Sequence, residues 1–97
     1  METKNAIIKS VEIAIEDHGL LTAWVHLDYG CAEQGFGGYA LDKSAGVFLR
    51  RVMEVVGVSS WDALRGKSVR VLGDHSKLIA LGNIVLDKWF NPARELN

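Results

Sequence analysis

Between Ser10 and Glu16 the chain alternates. Val11, Ile13 and Ile15 fall on one side, and Ser10, Glu12 and Glu16 on the other. Period two with β-branched residues predicts a half-buried strand. Asp17-His18-Gly19 follows as a hairpin-type turn, with Gly19 free to take positive φ. The next run alternates again: Leu21, Ala23, Val25 and Leu27 are apolar, while Thr22, Trp24, His26 and Asp28 take the intervening positions. The two runs are expected to pair as an antiparallel hairpin. A row of Trp24, His26 and Asp28 on the face away from the core is richer in chemistry than a solvated strand needs.

After the glycine-rich stretch, Gly37–Asp42 (GGYALD) reads as a third strand. The period then changes. Phe48, Val52, Val55 and Val56 recur at helical spacing, flanked by Leu49 and Met53. Asp42 or Ser44 is placed to cap the start of this helix, and Gly57 stands at its C-cap. Arg50 and Arg51 fall largely on its solvent side. Ser59–Lys67 reads as a capped single turn ended by Gly66, with Trp61 as a lid on the core. Lys67–Asp74 reads as a strand with Val69 and Val71 facing inward. Lys77–Phe90 is ambiguous, but Gly82-Asn83 at its centre favours a strand, whole or broken.

The predicted order is β-β-β-α-turn-β-β. This is an α+β fold, an antiparallel sheet of about five strands with one main helix packed on one face. The opposite face, carrying the Trp24 row, must meet solvent, a ligand or another subunit. The length of 97 residues corresponds to one domain, 1–97, with the polar ends 1–5 and 93–97 expected to fray.

Hydrophobic residues make up 48% and charged residues 24%, as in soluble globular proteins. The net charge of −1 argues against a non-specific nucleic-acid coat, which needs a large basic excess. The lone cysteine, Cys31, rules out an intrachain disulfide. Without a signal-peptide pattern or an apolar run of membrane-spanning length, the expected compartment is a reducing cytoplasm.

Asp28–Asp42 (DYGCAEQGFGGYALD) holds four glycines. Gly35, Gly37 and Gly38 let backbone N–H groups approach an anion without a Cβ in the way. The stretch is no dinucleotide fingerprint, because a strand and not a helix is expected after it, and no phosphate loop, because no Gly-Lys-Ser/Thr follows. For Gly37-Gly38 taken alone, a tightly crossed or bulged strand is the better explanation. Gln34, Phe36 and Tyr39 between the glycines suit a planar base. His26 oriented by Asp28 has the makings of a general base, although no nucleophile accompanies it and a plain surface pair is the commoner arrangement. His18, His26, His75, Cys31, Asp28 and Asp74 show no metal-ligand spacing, and neither a metal nor another cofactor is implied. Arg50, Arg51, Arg70 and Lys77 form a basic set, each more often a solvated charge than an anion contact.

The runs HLDYGCAEQGFGGYALD, FLRRVMEVVGVSSWDALRGKSVRV and DKWF resemble a group of small accessory proteins encoded by tailed bacteriophages and prophages, over nearly the whole chain. The departure is at Cys31-Ala32, where the group's signature has more glycine. The resemblance implies an accessory phage protein acting in the host bacterial cytoplasm, where such proteins often blunt host defence. In that setting the residues lead to an expectation: a homo-oligomer that sequesters a small phosphorylated nucleotide signal without turnover. Gly35, Gly37 and Gly38 would meet phosphate, Trp24, Phe36 or Tyr39 would stack on the base, and Arg50, Arg51 or Arg70 would pair with phosphate. Two alternatives stand beside it. One is a protein-interaction module inhibiting a host defence complex such as a CRISPR effector. The other is a small nucleotide-acting enzyme using His26 and Asp28.

Overall fold

A computed structural model describes residues 2–39 and 44–96. It shows one six-stranded antiparallel sheet in the order β3-β2-β1-β4-β5-β6, one main helix, one short helix and two 3₁₀ turns. The strands are β1 (Glu2–Glu16), β2 (Leu20–Asp28), β3 (Glu33–Gly37), β4 (Ser68–Gly73), β5 (Leu78–Asn83) and β6 (Trp89–Phe90). The helices are α1 (Ala45–Val56) and α2 (Pro92–Glu95). The α+β class is as expected, with six strands in place of five.

The organising element is β1. Residues 2–7 pair with β4 and residues 7–16 with β2, and the register shifts between Ile8 and Ser10. That bulge adds an unpaired residue, raises the local twist and moves the core-facing positions from Ala6 and Ile8 to Val11. Residues 2–5, expected to fray on their polarity, are the start of this strand. The sheet curls so far that side chains of its first and last strands meet against α1. Phe36 of β3 lies 5.9 Å from Phe48 of α1 and 6.2 Å from Phe90 of β6, and the latter two rings are 5.5 Å apart edge to face. All three are buried, with Val25, Leu27, Val52, Val55, Leu64, Val69, Val71 and Leu81 around them.

The helix forms as its period requires. Phe48, Val52 and Val55 are buried. Ser44 is the N-cap residue, without a side-chain cap bond, and Asp42, the alternative cap, lies outside the described residues. Gly57 takes φ +93° and its N–H donates to Met53 O at 2.8 Å, the left-handed C-cap expected of it. Asn83 Nδ2 donates to Val55 O at 2.8 Å and closes a further carbonyl of the last turn. The single turn after it is a 3₁₀ turn at Asp62–Leu64 that buries Leu64 under half-buried Trp61.

Three expectations change. The third strand is Glu33–Gly37, which shares only Gly37 with the expected Gly37–Asp42 among the described residues: Phe36 faces the core opposite Val25, while Gly35 and Gly37 fall on the outer side opposite His26 and Trp24. Ala40–Lys43 lie outside the described residues. The ambiguous segment 77–90 divides into β5 and the two-residue β6, joined by a connection that exposes Ile84, Val85 and Leu86. Finally, Ile13 and Ile15 share the side of Val11 but are 50% and 75% exposed, because the principal contacts of α1 are with β5 and β6 and leave the far half of the β1–β2 hairpin uncovered.

Candidate functional site

The Trp24 row does occupy the outer face of β2, and the glycines beside it have a definite task. The indole of Trp24 lies across β3. A Cβ on Gly35 would sit 2.9 Å from the six-membered ring, and one on Gly38, whose φ is +76°, would collide with the same ring. Gly35 and Gly38 therefore form the floor on which the indole rests. Gly37 serves the other neighbour: at φ +136°, any Cβ would run into the backbone carbonyl oxygen of Ala23. The close strand crossing is thus found at Gly37, while Gly35 and Gly38 make room for a side chain of the neighbouring strand.

The seated indole lines a cleft of about 420 Å³ between β3 and the β4–β5 turn. Gln34, Gly35, Gly37, Gly38 and Tyr39 share its β3 wall with Trp24. His75, Ser76, Lys77 and Leu78 form the opposite wall. The turn is locked. Ser76 Oγ, Ser76 N and Lys77 N all donate to Asp74 Oδ1, at 2.6, 2.9 and 3.0 Å. Gln34 Nε2 then donates to Asp74 O at 3.0 Å and Tyr29 Oη to Gln34 Oε1 at 3.0 Å, which ties the two walls together. Lys77 and His75 have no ion pair among the described residues. Partial burial raises the Tyr39 phenol above its ordinary pKa, so it stays a neutral donor.

Asp74 carries a pH signature. The Ser76 hydroxyl, then the Ser76 and Lys77 backbone N–H groups, stabilise its carboxylate and lower its pKa from 3.8 to about 2. A carboxyl lowered by folding contributes stability that is present above its unfolded pKa and lost as pH falls through the folded one. Asp74's share is thus expected to disappear between about pH 4 and pH 2. The melting temperature of Asp74→Asn should fall less steeply over that window than that of the wild type. Parallel curves would show that the turn gains nothing from the charge.

The remaining predicted residues are placed elsewhere. Phe36 is 1% exposed and belongs to the core, so it has no ring face to offer a ligand. His26 stacks beside Trp24, with ring centroids 6.2 Å apart, but its Nε2 meets Glu12 Oε1 at 3.2 Å and not Asp28. Asp28 instead accepts the Gly30 N–H at 2.7 Å and shapes the next turn. No His26–Asp28 dyad exists. Arg51 is fully employed by Glu95 Oε1 at 2.8 Å, Glu54 Oε1 at 3.2 Å and Trp89 O at 3.0 Å. Arg70 donates to Asn83 O and Leu86 O and lies 5.0 Å from the Trp89 ring centroid. Trp89 in turn rests on Gly82, where a Cβ would sit 2.7 Å from the indole. Arg50 is exposed on α1 beside Val47. None of the three arginines lines the Trp24 cleft. Among the described residues its cation is Lys77, with His75 beside it; the basic set expected from the sequence includes Lys77 without a position.

A second cleft, of about 540 Å³, lies between Ile7, Tyr29 and Ile84. Asp28 is its one charged side chain, and the Gly30 turn already uses it. Among the described residues no group of three or more His, Cys, Asp or Glu side chains is placed to hold a metal ion. Among the described residues no helix is long and apolar enough to cross a membrane. Comparison with protein families, with curated proteins and with solved structures gives no match.

Proposed function

We propose that the protein is a non-catalytic binding module whose Trp24–Lys77 cleft takes a small planar, anionic ligand, a phosphorylated nucleotide signal in the anti-defence setting that the phage resemblance implies. The observation that carries this reading is the seated indole facing a fixed turn with a free ammonium: an aromatic surface on one wall and an unpaired cation on the other. A stacked base gains about 1–3 kcal/mol on such a surface. The ammonium of Lys77 and the imidazole of His75 suit a phosphate, while the Ser76 hydroxyl proton is already given to Asp74. With arginines absent from the cleft, phosphate recognition falls to Lys77, a flexible point charge in place of a bidentate fork. The hydroxyl in the cleft wall, Ser76, is held by Asp74, whose pKa of about 2 makes it a weak base, and sequestration in place of turnover is the reading that fits.

Calorimetry and thermal-shift measurement against cyclic dinucleotides and cyclic ADP-ribose isomers test it. The wild type is expected to be stabilised by at least one of them, and Lys77→Ala to weaken that binding about tenfold through loss of one charge-assisted contact. Trp24→Ala should weaken it at least as much. If no nucleotide shifts the wild type, the cleft reading fails. The Trp24 row and its glycine-rich loop would then carry the other expectation, a hot-spot patch docking on a host defence protein.

A further inference from the structure

The outer half of β1 leaves one edge open. Beyond Ile8, whose backbone is tied to Gly66 and Lys67, and the bulged Lys9, residues 10–16 pair only with β2 among the described residues. An edge of this length is a template for another strand, and soluble proteins commonly blunt such edges with lysine or proline. Ser10–Glu16 has neither. Its charges are Glu12 and Glu16, and both are used on the outer face, by His26 and by Thr22 with Trp24. On the other face Ile13 and Ile15 stand exposed beside half-buried Leu21.

We propose that this edge pairs antiparallel with the same edge of a second copy, forming a two-fold dimer with Ile13 opposite Ile13. The register follows from charge and face. A two-fold axis normal to the sheet keeps each residue on its own face, so odd positions must oppose odd positions. Centring on Glu12 sets glutamate against glutamate, and centring on Ala14 sets Glu12 against Glu16; like charges directly opposite are destabilising. Centring on Val11 opposes Ile13 to Lys9. Centring on Ile13 opposes Val11 to Ile15, Glu12 to Ala14 and Ser10 to Glu16, an unbroken apolar row on one face with no like-charge pair on the other. The pairing lies on the far side of β2 from β3 and leaves the Trp24 cleft open, so it stands or falls separately from the ligand reading.

Sedimentation equilibrium from micromolar to millimolar protein is expected to give twice the monomer mass. Ile13→Lys, which sets two ammonium groups face to face, should give one monomer mass over the same range. The side chain is 50% exposed, so the variant is expected to keep its circular dichroism and a cooperative melt. Register is tested in a Cys31→Ser background. Opposed residues in an antiparallel pair lie about 4.5–5.5 Å apart at Cα, within disulfide reach. Ile13→Cys should therefore form a covalent dimer under glutathione oxidation, and Ile15→Cys should not. A monomeric wild type, a dimer indifferent to Ile13→Lys, or equal cross-linking at both positions would each overturn the proposal.

Discussion

Replacing Gly37 by alanine is expected to remove about 3 kcal/mol or more of stability, a large share of the roughly 5–15 kcal/mol that folded domains have in total. Two independent penalties act at this residue. Its φ of +136° lies in a region that residues with a Cβ rarely enter. The added methyl would also run into Ala23 O and crowd Trp24 Cα at 3.0 Å. Both obstacles are backbone atoms of the paired strand, so no side chain can turn aside to make room. For a chain of this size the loss corresponds to a fall in Tm of about 12–24 °C. Gly46→Ala is the matched control. Gly46 lies in α1 with open space where its Cβ would go, and alanine there should be neutral or stabilise by about 0.5–1 kcal/mol. Urea unfolding of the two variants decides the matter. A Gly37→Ala protein within about 0.5 kcal/mol of wild type would mean that β2 and β3 do not approach as described.

The same residue shows where sequence reading stops. Alternation in Val11–Glu16 and Leu21–Asp28 located the hairpin, and the helical period located α1, because those signals are local. What the glycines do is not local. Gly35 and Gly38 are needed because Trp24 crosses β3, and that depends on the pairing of Trp24 with Gly37. A run with one large apolar residue, Phe36, among glycines carries little strand propensity, so the third strand was expected one step later, at Gly37–Asp42. The arginines misled for a related reason. Arg51 and Arg70 read as free charges in a one-dimensional pattern, but Arg51's partners Trp89 and Glu95 are far along the chain, and Arg70 is held by the β5–β6 connection. Lys77 and His75 reach the Trp24 cleft only because the sheet curls enough to bring the β4–β5 turn beside β3. That curl is set in part by the bulge in β1, where no glycine or proline marks it.

Phe36→Ala is expected to cost about 3–5 kcal/mol, the range for truncating a buried aromatic side chain. The ring is 1% exposed and contacts both Phe48 and Phe90. Its loss removes the apolar area that was buried and leaves a void at the one place where β3, α1 and β6 converge, so the structure can relax only by opening the curl. Phe36→Leu keeps most of the volume and should cost about 1.5 kcal/mol or less. Comparing the two with Trp24→Ala separates the fold from the site. Trp24 is half-exposed and rests on glycine, so its truncation should disturb stability much less than Phe36→Ala while removing the aromatic wall of the cleft. Equilibrium unfolding in urea, with the slope checked for constancy, measures all three. If Phe36→Ala proved no worse than Trp24→Ala, the aromatic cluster would not be what holds the two ends of the sheet together. In that event the cleft wall formed by Gln34 to Gly38 would need another anchor, because β3 has a sheet partner on one side only, and Phe36 is the single side chain by which it reaches the aromatic cluster under the sheet.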